Sequence, residues 1–189
     1  MNINEEYTNH LDIRLCVELS NNIDCDIKFN LIDKYNKEYY LNKNLICAVK
    51  KLLKEGKIIA IKDIGGFQLI CDGTNHKAIS NLRKRKNKKT KPLALMMKDI
   101  DEVKNYCYIN EKEKNILNRS NKPIVILKKK NNKLPNNISF NNSSFGIMLP
   151  PTNFHYMLFD EELKILVRSE EHTSELQSRF DLVCRLLLE

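Results

Sequence analysis

Hydrophobic positions along the chain gather into short blocks separated by polar, turn-forming residues. The block Lys57 to Ile61 reads as a hydrophobic strand. It arrives at Lys62 and is followed by the pair Gly65-Gly66, where backbone can pass close to a ligand because neither residue carries a Cβ. Phe67 to Asp72 is a second short strand. Asn75 then caps a helix whose polar end becomes a run of cations: Arg83, Lys84, Arg85, Lys86, Lys88, Lys89 and Lys91. Pro92 opens a third strand, Leu93 to Met97. A run of lysines is ordinarily a solvated face, and a Gly-Gly pair is ordinarily a plain turn. Their combination within one short unit is the plan of an anion site.

Around this unit the pattern predicts further elements. Met1 to Asp24 is polar and weakly periodic, an irregular lead-in. Ile27 to Ile32 and Glu38 to Leu41 can pair as a hairpin across Asp33-Lys34-Tyr35-Asn36. A helix starts at Asn42 or Asn44, carries Leu45, Val49, Leu52 and Leu53 on one face, and stops at Gly56. Asp99 can cap a short helix through Tyr106, and Asn110 with Glu113 forms a capping-box start for another through Asn118. Pro123 to Leu127 reads as a buried strand, Lys128 to Asn142 as an exposed loop with almost nothing apolar to bury, and Phe145 to Leu149 as a strand. Asn153 to Phe159 is a short helix carrying His155, and Leu163 to Val167 a last strand.

Composition narrows the picture. With 189 residues, 42% hydrophobic and 30% charged, the chain can bury one real core but not two large ones. A net charge of +8 favours polyanions such as nucleotides or RNA, although a composition heavy in Asn and Lys also follows from an AT-rich genome. No apolar run approaches the ~20 residues of a membrane span, and MNINEEYTNH has neither the basic start nor the apolar centre of a signal peptide. A cytoplasmic location without membrane contact is the expectation. The six cysteines include no C-x-x-C pair, which argues against a disulfide framework or an intact zinc site.

Three segments carry a family resemblance. Lys62 to Asn75, KDIGGFQLICDGTN, resembles a K-G-x-G-G-F-x-L-x-C-D-A-x-N pattern. Leu82 to Met96, LRKRKNKKTKPLALM, resembles L-R-x-R-K-x-R-x-x-K-P-F-A-L-M, and Gly146 to Leu158, GIMLPPTNFHYML, resembles G-V-M-L-P-Y-T-P-L-H-H-L-L. In this order they are the motifs of the YrdC-like domain of the HypF-type carbamoyltransferases of hydrogenase maturation. Asp63, Gly73, Lys88, Pro151, Asn153 and Tyr156 depart from the patterns. The resemblance implies an α/β fold, a twisted mixed sheet flanked by helices, truncated at its C-terminal end. Residues 42–167 would form that domain. Residues 1–41 would hold the hairpin and the remnant of a zinc-finger module, with Cys25 in the place of its last cysteine and Asn22 where that cysteine's partner should be; one thiolate cannot hold zinc. Arg168 to Ser178, RSEEHTSELQS, resembles a translated sequencing adapter, so 168–189 are expected to be a non-native tail; without them the chain is more basic still.

The chemistry that the resemblance implies is the conversion of carbamoyl phosphate to carbamate and its adenylation by ATP to carbamoyl-adenylate. The carbamoyl group then passes to the C-terminal cysteine of a maturation partner, for cyanide-ligand synthesis in [NiFe] hydrogenase. Fixed cations and backbone N–H donors stabilise charge spread over phosphate oxygens without a nucleophilic side chain. The candidate nucleotide- and phosphate-binding residues are therefore Lys62, Gly65, Gly66, Lys86, Lys88 and Lys91. Arg83 and Arg85 face either the phosphates or solvent. His155 is expected to be a hydrogen-bonded structural residue, and Asp72 either a magnesium ligand or simply the end of its strand. Two alternatives stand beside this reading: a threonylcarbamoyl-adenylate synthase for tRNA modification, whose first motif would be P-T-x-T-x-Y-G-L where this chain has Lys62 to Leu69, and a non-catalytic module binding double-stranded RNA.

Overall fold

The computed structural model describes residues 30–32, 38–40, 43–63, 66–86, 90–130, 133–171 and 183–187. Its order is β1 (Asn30–Ile32), β2 (Glu38–Tyr40), α1 (Lys43–Lys54), β3 (Ile58–Asp63), β4 (Gly66–Asp72), α2 (His76–Arg85), β5 (Ala94–Met97), α3 (Ile100–Tyr106), α4 (Glu111–Leu117), β6 (Val125–Lys128), a 3-10 turn (Asn136–Ile138), β7 (Ser144–Met148), α5 (Asn153–Met157), β8 (Ile165–Glu171) and β9 (Val183–Leu187). Among the described residues the strands form one mixed sheet in the order β2-β1-β9-β3-β4-β8-β5-β7-β6. β5 and β7 run parallel, while β3–β4, β4–β8, β5–β8 and β6–β7 are antiparallel. The mixed sheet flanked by helices is the α/β fold read from the sequence.

Strand alternation splits the apolar side chains between the two faces. One face, with Ala60, Leu69, Leu95, Ile147 and Val167, packs against Ala78, Ile79 and Leu82 of α2, Val103 of α3 and Leu117 of α4. The other, with Ile59, Ile70, Met96, Met148 and Leu166, packs against Val49 and Leu53 of α1 and Phe154 and Leu158 of α5. β3, β4, β5 and β8 are apolar on both faces because both are covered.

Local signals decide where the helices begin and end. The Asn75 carboxamide accepts from the N–H groups of Lys77 and Ala78, Asp99 accepts from Glu102, and Asn110 with Glu113 completes a capping box. α1 ends in a Schellman turn: Gly56 N–H bonds Leu53 O at 2.9 Å, and Lys57 N–H bonds Leu52 O at 3.0 Å. Gly56 has φ 81°, and a Cβ there would stand 2.8 Å from Asn75 Nδ2. Gly56→Ala therefore forces a left-handed alanine and disturbs the cap of α2 together. A loss of about 1–2 kcal/mol in urea unfolding is expected; a loss below a few tenths would mean that Asn75 shifts away freely.

Pro123 to Leu127 was expected to be buried, but β6 is the last strand of the described sheet, and Ile124 and Ile126 are 50% and 68% exposed. The run is apolar on both sides although only Leu127 is buried. Lys128 to Asn142 is not an exposed loop: Leu134, Asn137, Ile138 and Ser139 are buried. Asn137 Nδ2 donates to His76 O at 2.8 Å and to Ser80 Oγ at 2.9 Å, pinning the segment onto α2. The boundary expected after Val167 falls inside β8, where Arg168 pairs with Ile70 and Ala94. The lead-in Met1 to Asp24, Asn22, Cys25 and the start of the first expected strand lie outside the described residues, and so does the connection expected to turn the first hairpin.

Candidate functional site

Register decides which strand ends meet. Lys62 pairs with Phe67 and Asp63 with Gly66, so residues 64 and 65 alone connect β3 to β4. Phe67 pairs with Glu171 near the end of β8, and Ala94, at the start of β5, pairs with Arg168 and with Gly146. Lys128, at the end of β6, pairs with Ser144 at the start of β7. The β3–β4 turn, the chain entering β5 and the 129–143 connection thus share one end of the sheet. α2 begins just past the opposite end of β4 and packs back along the sheet. Near its C-terminus Arg83 reaches the carbonyls of Lys91, Asn137 and Ile138, so this part of the helix lies beside the chain entering β5 and the 136–138 turn.

Of the six candidate residues, Lys62 and Gly66 flank the β3–β4 turn, Lys91 lies in the chain entering β5 and Lys86 stands at the end of α2, while Gly65 and Lys88 lie outside the described residues. Lys86 is the C-cap of α2, half-buried, with its N–H on Leu82 O and Lys84 O. Lys91 is exposed. A helix C-terminus carries the negative end of the macrodipole, worth up to about 1 kcal/mol at a surface. An anion at the end of α2 would be held by lysines against that dipole, not by it.

Arg83 and Arg85 separate clearly. Arg85 is exposed and lines a cleft of about 220 Å³ with Lys57, Asn75 and Lys77. Arg83 is 7% exposed and its guanidinium faces carbonyls: Nε donates to Asn137 O, Nη1 to Lys91 O at 3.0 Å and Nη2 to Ile138 O at 3.0 Å. Its carbon Cζ lies 4.8 Å from the centre of the Phe140 ring. Desolvation lowers its pKa below the ordinary arginine value. A further cation that sequence reasoning passed over is Lys129, which donates to Ser139 O at 3.3 Å and sits 4.4 Å over the Phe145 ring, its pKa lowered by burial. Nothing in the sequence signals it, because its partners lie on the far side of the connection.

Other reactive groups stand elsewhere. His155 is buried, with Nδ1 2.7 Å from Thr152 Oγ1, on the helix that follows the opposite end of β7. Asp72 accepts from Thr74 N–H at 2.8 Å and Thr74 Oγ1 at 2.7 Å, closing the turn after β4, also at that opposite end. Burial pushes the Cys71 thiol far above its ordinary value and the Cys107 thiol up to about 11, so both stay neutral near pH 7. No cluster of three or more His, Cys, Asp or Glu suited to a metal occurs among the described residues, and no helix there is long and apolar enough to cross a membrane. What the lysine end can do is hold an anion and spread its charge.

Comparison with known proteins fits this chemistry. Residues 51–181 match the Sua5, YciO and YrdC family model, described as "Telomere recombination". The carbamoyltransferase HypF of Synechocystis sp. is 40% identical over 127 residues, covering 67% of this chain and 16% of that protein. A crystal structure of full-length HypF in a phosphate- and nucleotide-bound form superposes with a TM-score of 0.64 at 40% identity, covering 71% of this chain and 18% of the other. The Sua5 of P. abyssi, solved with L-threonine, shares the fold at a TM-score of 0.60 but only 13% identity. The chain thus spans about a sixth of the length of the carbamoyltransferase it matches.

Proposed function

The chain belongs to the Sua5, YciO and YrdC family, and from that premise we propose that it is the nucleotide-handling domain of a carbamoyltransferase. In this reading carbamate, derived from carbamoyl phosphate, attacks the α-phosphorus of ATP. Carbamoyl-adenylate forms, pyrophosphate leaves, and the carbamoyl group goes on to the C-terminal cysteine of a partner protein. Cyanide-ligand synthesis for [NiFe] hydrogenase is the purpose this chemistry would serve. The observation that carries the proposal is the 40% identity to a carbamoyltransferase over 127 residues, in a chain whose β3–β4 hairpin carries Lys62 and Gly66 at its turn. Lys86, Lys88 and Lys91 would neutralise phosphate oxygens, and Lys62 would stand beside them. The turn containing Gly65 and Gly66 would let backbone N–H groups approach, since neither residue interposes a Cβ. Magnesium would come with the nucleotide, because Asp72 is engaged in its own turn at the opposite end.

Threonylcarbamoyl-adenylate formation is less favoured, because the Sua5 likeness at 13% identity reaches the fold alone. The remaining competitor, duplex RNA, separates by salt. ATP and short RNA duplexes are titrated into the whole chain between 50 and 200 mM salt. ATP is expected to bind at one saturable site with a shallow salt dependence. Duplex binding that lengthens with the RNA and falls by about a thousandfold over that range, as six or more phosphate contacts require, would replace the nucleotide reading.

A further inference from the structure

The cations that would meet phosphate are surface lysines on a connection, and long side chains on a mobile backbone make poor sites because ordering them costs entropy. What fixes this connection is visible in one residue. Arg83 leaves α2 one turn before its end and bonds three main-chain carbonyls, those of Lys91, Asn137 and Ile138. The carbonyl of Ile138 also accepts the N–H of Leu93 at 3.0 Å. The segment 91–93, which carries Lys91 into β5, is thus tied at two points to the 136–139 turn, and both ties run through or beside one guanidinium. The turn is anchored in its own right by Asn137 on α2 and by Ile138 in the core. Arg83 Cζ also lies over the Phe140 ring, 4.8 Å from its centre.

We propose that Arg83 is a positioning residue: it does not touch the nucleotide, but clamps the 91–93 segment onto the 136–140 turn and so sets the place of Lys91 relative to the end of α2. The proposal rests on the nucleotide reading above and adds a residue and a second segment to it. Geometry distinguishes a clamp from a mere local charge. A guanidinium presents a planar fork that reaches several carbonyls at once, whereas an ammonium is a point charge on a flexible stem. Arg83→Lys preserves the charge and removes the fork.

The test measures ATP affinity of the whole chain by calorimetry, together with amide exchange at Leu93, for wild type, Arg83→Lys and Phe140→Ala. Arg83→Lys is expected to weaken ATP about tenfold, the order of loss that a small displacement of binding groups produces. Exchange at Leu93 should accelerate while amides in β4 stay protected. Phe140→Ala, at a 42% exposed position, leaves the buried core in place and keeps the test decisive if Arg83→Lys does not fold; a two- to threefold loss with faster Leu93 exchange is expected. Wild-type affinity in Arg83→Lys would overturn the proposal, because charge alone would then suffice. If the wild-type chain binds no ATP, the nucleotide reading fails, and Leu93 exchange decides the clamp by itself: accelerated, it stands; unchanged, it falls.

Discussion

Lys86→Gln is expected to cost more ATP affinity than any other single change on the surface of α2. A charge-assisted hydrogen bond to a phosphate oxygen contributes about 1.5–3 kcal/mol, which corresponds to a loss of roughly ten- to a hundredfold in Kd. The control lies two residues away. Lys84 is exposed on the same helix, so Lys84→Gln removes an identical charge without removing a ligand at the helix end. It should change Kd by less than about twofold, the scale of a screened surface charge. Because Lys84 is exposed on the helix surface, Lys84→Gln should not shift the melting temperature appreciably. Equal losses in the two variants would show a diffuse basic surface rather than a site.

The largest loss of stability is expected from Leu69→Ala. Leu69 is 0% exposed in β4, which pairs with β3 on one side and β8 on the other, and it belongs to the core under α2. Removing its branched end leaves a cavity that hydrogen-bonded strands cannot collapse to fill, and about 3–4 kcal/mol should be lost. In a protein of this size that is a fall of roughly 6–15 °C in Tm. Ile126→Ala deletes a comparable apolar group from the edge strand, 68% exposed, and should cost no more than about 0.5 kcal/mol. Urea unfolding of the two variants side by side decides the matter; similar losses would mean that β6 is covered in solution.

How far the molecule was legible in its sequence depended on the range of the interaction. Asn75, Asp99 and the Asn110–Glu113 box were readable because a cap is made with groups two or three residues away. Gly56 was readable for the same reason. The 128–142 connection was not, since two apolar residues, Leu134 and Ile138, become core only after Asn137 and Arg83 dock that connection against α2. Arg83 itself could not be told from its basic neighbours: in the sequence it is one cation among seven, and only its position on the inner side of the helix, 7% exposed, gives it carbonyls to hold. β6 failed in the opposite sense, because a continuous apolar run does not say whether both of its sides are covered. The candidate lysines were legible as a cluster, through a shared motif, but the docking of the chain at Lys91 beside Arg83 and the 136–138 turn is a long-range fact that no local pattern contains.

β8 lies between β4 and β5, and that insertion governs how the domain can assemble. The β3–β4 hairpin and the β5–β7–β6 group can each pair from residues close in sequence, yet neither can join the other until the polypeptide beyond Lys164 has slid between them. The Arg168–Gln68 contact alone bridges 100 positions. During synthesis the β4 and β5 edges that β8 fills wait open, as does the β3 edge that pairs with β9, so the sheet closes in a late and slow step set by chain entropy rather than by the strength of any one strand. A nascent chain stalled before Lys164 would present unfinished sheet edges at β3, β4 and β5, the kind of surface on which chaperones act and aggregates begin.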